Sequence, residues 1–103
     1  MNKYHAIRTY SKLCQREFAS KSECGRAEEL YCLELYGTIA DLKFQVPFIL
    51  SEKPGVKITI DFSYLEDGVQ KYEDVKGVLT RDFRSKLAWL KQLKGIDVIL
   101  QRR

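Results

Sequence analysis

Two aspartates and a lysine flank a tight-turn dipeptide in the stretch 57-KITIDFSYLEDGVQKYEDVKG-77. Asp67-Gly68 is a strong signal for a two-residue hairpin turn. Such a turn pairs Glu66 with Val69 and, counting outward, Asp61 with Asp74 and Thr59 with Lys76. Directly opposed residues hold their Cβ atoms roughly 4.5–5.5 Å apart. Lys76 shares a face with Asp74, because strand side chains alternate. Two opposed carboxylates repel and weaken a strand pair, but a divalent cation reverses that sign. Mg2+ takes oxygen ligands at about 2.0–2.1 Å and commonly uses one or two carboxylates plus a substrate phosphate. A neighbouring ammonium lowers the repulsion further and can orient an attacking water. The same residues also fit a solvated hairpin face shared with Thr59, Ser63 and Tyr72, backed by a core face of Ile58, Ile60, Phe62, Tyr64 and Val75.

A helix-borne acid would complete such a site, and Glu23 is the candidate. Ser20-x-x-Glu23 is equally a capping box, in which the glutamate bonds backbone near Ser20. The two roles coexist if the first turn of the helix faces the hairpin. Glu28, Glu29 and Glu34 lie further along and read as solvent-facing.

These residues need elements to hold them. Residues 1–19 read as an arm or an irregular strand pair. Residues 20–37 read as a helix, capped by Ser20 or Ser22, ended by Gly37, with an apolar face of Cys24, Ala27, Leu30, Tyr31 and Leu35. Strands are expected over 43–50, 56–64 and 69–77, with Pro47 marking an edge position in the first. Thr80 caps a second helix that carries Asp82 in its first turn, a stripe of Phe83, Leu87, Leu90 and Leu93, and Gly95 at its end. A last short strand covers 96–100. The order is helix, three strands, helix, strand, an α/β domain around one mixed sheet.

With 103 residues the chain suits a single domain, and 45% hydrophobic with 31% charged residues is a globular composition. No apolar run approaches the roughly 20 residues of a membrane span, and the expected location is the cytoplasm. Cys14, Cys24 and Cys32 follow no ligand spacing, and with His5 the single histidine they read as reduced thiols. No Gly-rich phosphate loop, Ser-His-Asp set or aromatic platform on one strand face is present. The net charge of +4 is uneven. Lys3, Arg8, Lys12, Arg16 and Lys21 crowd residues 1–22, and Arg81, Arg84, Lys86, Lys91, Lys94, Arg102 and Arg103 crowd the C-terminal end. Basic flanks about an acidic middle suit a polyanion held by its phosphates beside a carboxylate site. Lys3, Arg8, Lys21, Arg84, Lys91 and Lys94 are the candidate phosphate contacts.

Asp61, followed by 74-DVK-76 on the next strand, resembles the signature of PD-(D/E)XK nucleases, and the element order resembles their restriction-endonuclease-like core. More narrowly, the chain is similar to a small phage and prophage family of unknown function. The shared pattern covers Lys3-Tyr4, F-x-S-K-x-E from Phe18 to Glu23, L-x-x-Q-x-x-F-x-L from Leu42 to Leu50, D-F-x-Y from Asp61 to Tyr64, and E-D-V-K-G from Glu73 to Gly77. Two departures stand out: 13-LCQREF-18 replaces an expected Asp-Gly turn, and Pro47 does not directly follow Gln45. The resemblance implies hydrolysis of DNA phosphodiester bonds with Mg2+, for which Mn2+ would substitute. Asp61 and Asp74 would bind the ion with the Val75 carbonyl as a further ligand, Glu23 would assist from the helix, and Lys76 would position the water. By analogy the enzyme would be a phage endodeoxyribonuclease acting on branched DNA in the manner of a Holliday-junction resolvase, working as a homodimer in the host cytoplasm. Trp89 and Leu90 would be available to such an interface, with core packing the expected use of at least one of them. A nicking, mismatch-type or transposon-end nuclease, and a non-catalytic basic DNA-binding or phage-assembly module, fit the same residues.

Overall fold

The computed structural model describes residues 7–102. A small hairpin of β1 (Thr9–Ser11) and β2 (Arg16–Phe18) precedes α1 (Lys21–Leu35). Then come β3 (Ala40–Ser51), β4 (Val56–Glu66), β5 (Val69–Val75), α2 (Arg81–Lys94) and β6 (Val98–Gln101). The main sheet runs β3-β4-β5-β6, antiparallel except for the parallel β5/β6 pair. The chain is therefore an α/β domain with a mixed four-stranded sheet, in the element order expected from its sequence. No helix among the described residues is long and apolar enough to cross a membrane.

Of the two readings of residues 1–19, an arm or an irregular strand pair, residues 9–18 take the second. The turn between the strands brings Gln15 to φ +57, the left-handed conformation that glycine adopts freely and other residues rarely do. Gln15 thus takes up the role that an Asp-Gly turn would have filled. Lys3 and Tyr4 lie outside the described residues.

Ser20 caps α1 as expected: it is extended (φ −151) and its hydroxyl accepts the Glu23 N–H at 3.1 Å. The inward face of the helix differs from the expected one. It is centred on Glu23, Ala27 and Leu30, with Cys24 beside them. This i, i+4, i+7 stripe swings Tyr31 to a half-buried position and leaves Leu35 exposed. Glu28 and Glu34 are not solvent-facing either. Glu28 accepts from the Ser11 hydroxyl at 2.6 Å and Glu34 from the Leu42 N–H at 2.8 Å, so both tie the helix to neighbouring strands.

Asp67 (φ +53) and Gly68 (φ +76) both take positive φ, the signature of the type I′ turn whose twist matches a β-hairpin. Glu66 pairs with Val69, and the anticipated register holds inward as far as Phe62 and Glu73. Pro47 lies on the edge strand β3 opposite Thr59, where its missing N–H is tolerated. On the other side of β4 the regular β4/β5 pairing ends at Phe62 and Glu73, so the expected Thr59–Lys76 pair does not form. β5 ends at Val75, and the Lys76 N–H donates to the Gln101 carbonyl of β6 at 3.0 Å.

The core divides in two. Phe18, Ala27, Leu30, Phe62 and Tyr64 form one cluster with α1, and Leu50, Ile58, Ile60 and Leu90 form another with α2. Tyr72 packs with the second while its neighbour Glu73 bonds Arg26 of α1. Adjacent strand residues point to opposite faces, so the two helices cover opposite faces of the sheet. Strict alternation would also keep Ile58, Ile60, Phe62 and Tyr64 on one face, as anticipated, yet they split between the clusters. Phe44 likewise meets Phe62, whereas Phe48 meets Tyr72. The change of side falls at Gln45 and Asp61, where Gln45 has φ +54. A left-handed residue within a strand breaks the alternation and re-aims the side chains around it.

Thr80 and Gly95 bound α2 as expected: the threonine hydroxyl accepts the Phe83 N–H at 3.2 Å and Gly95 has φ +68. Leu90 is fully buried in the core, so of the pair offered for a dimer interface only Trp89 is accessible. Leu93, the last residue of the anticipated stripe, is exposed.

Candidate active site

β4 and β5 part company one residue beyond their last regular pair, and the two aspartates occupy the gap. The Asp61 N–H donates to Asp74 Oδ1 at 2.8 Å, and the Val75 N–H donates to Asp61 Oδ2 at 2.9 Å. Each carboxylate thus satisfies a backbone donor of the facing strand that the ladder no longer reaches. A buried N–H left without a partner would cost the fold about 1–3 kcal/mol. This exchange replaces the simple side-by-side opposition expected from the register, and it locks the two acids together more firmly.

Neither aspartate belongs to a wet surface. Asp74 is 0% exposed and Asp61 9%, with Ser63 buried and Tyr72 half-buried beside them. The solvated-face reading of the hairpin is therefore wrong: α2 covers the face that Tyr72 and Asp74 share.

Glu23 arrives from the first turn of α1 and is itself buried. The capping box forms with a shifted second half, the Ala19 backbone N–H donating to the Glu23 carboxylate. Ser20 accepts the Glu23 N–H, while the Glu23 carboxylate reaches across to Gln45 Nε2 at 3.0 Å. Gln45 Nε2 also lies 3.4 Å from Asp61 Oδ1. Gln45 is thus a site residue that was not among the candidates, although it stands in the L-x-x-Q-x-x-F-x-L block. In a pattern of alternating residues it reads as a routine outward polar side chain. Its left-handed backbone, invisible in the sequence, is what turns it toward the acids.

Lys76 places its ammonium 3.1 Å from Asp74 Oδ2 and 4.0 Å from the centre of the Phe83 ring. The approach to Oδ2 is an ion pair without hydrogen-bond geometry, so Asp74 Oδ2 is a fully buried oxygen with no hydrogen-bond partner. Burial, then Asp74 and Glu23, push Asp61 up to about 7. Burial and then Asp74 raise Glu23, against a lowering influence of Lys76. Burial raises Asp74 as well, with Lys76 and the Asp61 N–H pulling the other way. Three carboxyls that all resist ionisation, gathered at one place, are a functional-site signal with a physical cause.

A cleft of about 770 Å³ is lined by Glu23, Gln45, Thr59, Asp61, Val75 and Lys76, while Asp74 itself is fully buried. The first turns of both helices form its walls, through Ser20 to Ser22 of α1 and Thr80 to Phe83 of α2. Helix N-termini carry partial positive charge and present free N–H groups to anions. Of the candidate phosphate contacts, Lys21 lines this cleft and Arg84 lies in the adjoining turn of α2. Arg8 pairs with Glu17 on the small hairpin. Lys91, paired with Asp97 at 2.6 Å, and Lys94 sit near the other end of α2. At 1.5 Å per residue, Lys94 is about 18 Å along the helix axis from Asp82. The structure does not bring these two lysines to the cleft.

The donor set suits a hard cation. All its ligating atoms would be oxygen, Asp74 Oδ2 is engaged by the Lys76 ammonium at 3.1 Å, and Mg2+ needs only one or two protein carboxylates. Asp61, Asp74 and the Val75 carbonyl are the residues that would hold it. Among the described residues no group of three or more His, Cys, Asp or Glu side chains closes on one point as a ready cage. The amide of Gln45 stands between Glu23 and Asp61.

A family model described as "Protein of unknown function (DUF1064)" matches residues 1–95 of the chain. No curated protein and no solved structure matches it.

Proposed function

The chain belongs to the DUF1064 family, and we propose that it is a metal-dependent endodeoxyribonuclease whose active site is the acidic cleft between the two helix N-termini. The observation that carries this reading is the buried Asp61–Asp74 exchange with Lys76 at 3.1 Å from Asp74 Oδ2. It is the arrangement expected of the acid and D-x-K segments of a PD-(D/E)XK nuclease, on a helix-strand-strand-strand-helix-strand core.

A bound Mg2+ or Mn2+ would supply a Lewis acid at the scissile phosphate. Asp61 and Asp74 hold it, and their backbone hydrogen bonds fix where their free lone pairs point. Lys76 is anchored between Asp74 and the Phe83 ring, so its ammonium is placed to orient an attacking water and to balance charge as the phosphate is attacked. Glu23 adds a carboxylate on the α1 side of the cleft. The two helix N-termini and Lys21 receive the non-reacting phosphate oxygens.

The substrate we propose is branched DNA, cut in the manner of a junction resolvase by a pair of copies in the cytoplasm of a phage-infected cell. This part rests on the likeness to small phage nucleases, whereas the hydrolytic chemistry rests on named side chains. The test is a panel of four-way junction, flap, nicked, single-stranded and linear DNA incubated with Mg2+, Mn2+ or EDTA. Faster cutting of the junction than of matched linear duplex is the expected result, and equal rates would remove the junction assignment alone. Asp74→Asn keeps an oxygen for the Asp61 N–H and so preserves the fold. It should lower cleavage at least about 100-fold, in the range seen for loss of a key electrostatic group. Undiminished cleavage by this variant would defeat the metal assignment.

A further inference from the structure

Gln45 combines three features that ordinary strand residues lack. It holds φ +54 within a twelve-residue edge strand, between the regular pairs Phe44–Phe62 and Val46–Ile60. A non-glycine residue there is strained, and such strain persists only where its surroundings enforce it. Its carboxamide points at two buried acids at once, 3.0 Å from Glu23 Oε2 and 3.4 Å from Asp61 Oδ1. It also marks the point at which the side chains of β3 pass from one core cluster to the other. Carboxylates accept and an amide nitrogen donates, so the Nε2 group is the one that faces both acids.

We infer that Gln45 is a positioning residue of the cation site, holding Glu23 apart from Asp61 so that a cation is taken by Asp61 and Asp74 without Glu23 as a direct ligand. This rests on the hydrolytic reading above. Glu23 shares its amide partner with Asp61, and for as long as it does, its Oε2 is committed to an N–H donor. Magnesium sites bind their ion loosely enough to exchange when few carboxylates and several waters surround it, and added ligand charge tightens them. A neutral amide between two acids is therefore a device that keeps the ion exchangeable and Glu23 free to act on water or phosphate.

The test is Mn2+ binding, followed by electron paramagnetic resonance, to the full chain without DNA. Gln45→Gly removes the amide and accepts positive φ without strain, so it retains the fold. It should bind Mn2+ roughly tenfold more tightly, the factor expected for releasing one charge-assisted hydrogen bond. Glu23→Gln placed in the Gln45→Gly background should return the affinity to the wild-type value, whereas Glu23→Gln alone should change it less than about twofold. This coupling is one that a merely structural role for Gln45 would not produce. Gln45→Glu, which keeps the length and replaces the donor by a carboxylate, should also bind Mn2+ more tightly. Equal or weaker binding by Gln45→Gly, or additive effects in the cycle, would overturn the inference while the hydrolytic reading stands. Failure of the wild-type chain to bind Mn2+ at all would instead defeat the hydrolytic reading, and this inference with it.

Discussion

Asp61→Asn should stabilise the metal-free protein at alkaline pH and leave it unchanged or weaker in acid. The reason is the direction in which the fold moves this group. Burial and the carboxylates of Asp74 and Glu23 raise Asp61 from 3.8 to about 7. Between those two values the unfolded chain has released the proton and the folded chain still holds it. Stability therefore falls as pH rises from about 4 to about 7, and the loss is complete above the folded value. At 1.36 kcal/mol per pH unit of displacement, the full effect approaches about 4 kcal/mol as a ceiling. Asparagine removes that charge and keeps an oxygen for the Val75 N–H, but gives up the charge assistance of the bond, about 1 kcal/mol. With Lys76 screening part of the repulsion, a net gain of about 1–2 kcal/mol is expected at pH 8 in EDTA. For a domain of this size each kcal/mol moves Tm by roughly 4–8 °C. The assay is Tm by circular dichroism from pH 5 to pH 8.5 for both proteins, with and without Mn2+. The wild type should lose Tm across the window and recover it with Mn2+, while the variant should show a flatter curve and little response to the ion. Parallel curves, or a variant less stable than the wild type at pH 8, would refute the reasoning.

Arg26→Ala should cost about 3–5 kcal/mol in urea unfolding, because it strands the fully buried Glu73 that Arg26 meets through Nε and Nη2. Adding Glu73→Gln should recover a good part of it, since Tyr64 can still donate its hydroxyl to the amide oxygen. Lys21→Ala should weaken DNA binding and reduce its salt slope by about one, whereas Lys94→Ala should leave the slope unchanged, as judged by fluorescence anisotropy across a salt series. Gly95→Ala should lower stability by about 1 kcal/mol in the same urea assay, purely through φ +68, because no atom lies within 4 Å of the added Cβ.

The helices and the hairpin were legible because their signals are local. Ser20 and Thr80 as caps, Gly95 as a stop and Asp67-Gly68 as a turn each depend on a few neighbouring residues, and each appears where expected. The acids on β4 and β5 were legible for the same reason, since the turn fixes the register that brings them together. What escaped was tertiary. Nothing in KFQVPFIL announces that Gln45 turns left-handed and moves its neighbours to the other side of the sheet. Glu28 and Glu34 look like solvent-facing helix residues until the small hairpin and β3 supply their donors. Charge counting placed Lys91 and Lys94 with the phosphate contacts, yet only the direction of α2 decides which of its ends meets the cleft.

Several features that tax the stability of a fold gather around the aspartate pair. A left-handed Gln45, a β4/β5 ladder that ends at Phe62 and Glu73, and three acids that resist ionisation lie together, with Glu23, Gln45 and Asp61 lining the cleft and Asp74 fully buried. The left-handed backbone at Gln45 costs about 1–3 kcal/mol and the desolvated carboxyls add to it, and a domain has only about 5–15 kcal/mol of net stability. Asparagine at positions 61 and 74 would make the same backbone bonds without burying a charge. The proposed divalent cation would act on the charged members at once, favouring the ionised form of the aspartates and offsetting the repulsion across the gap. The sequence therefore retains carboxylates where amides would be more stable, which is the pattern expected when the charge itself is needed.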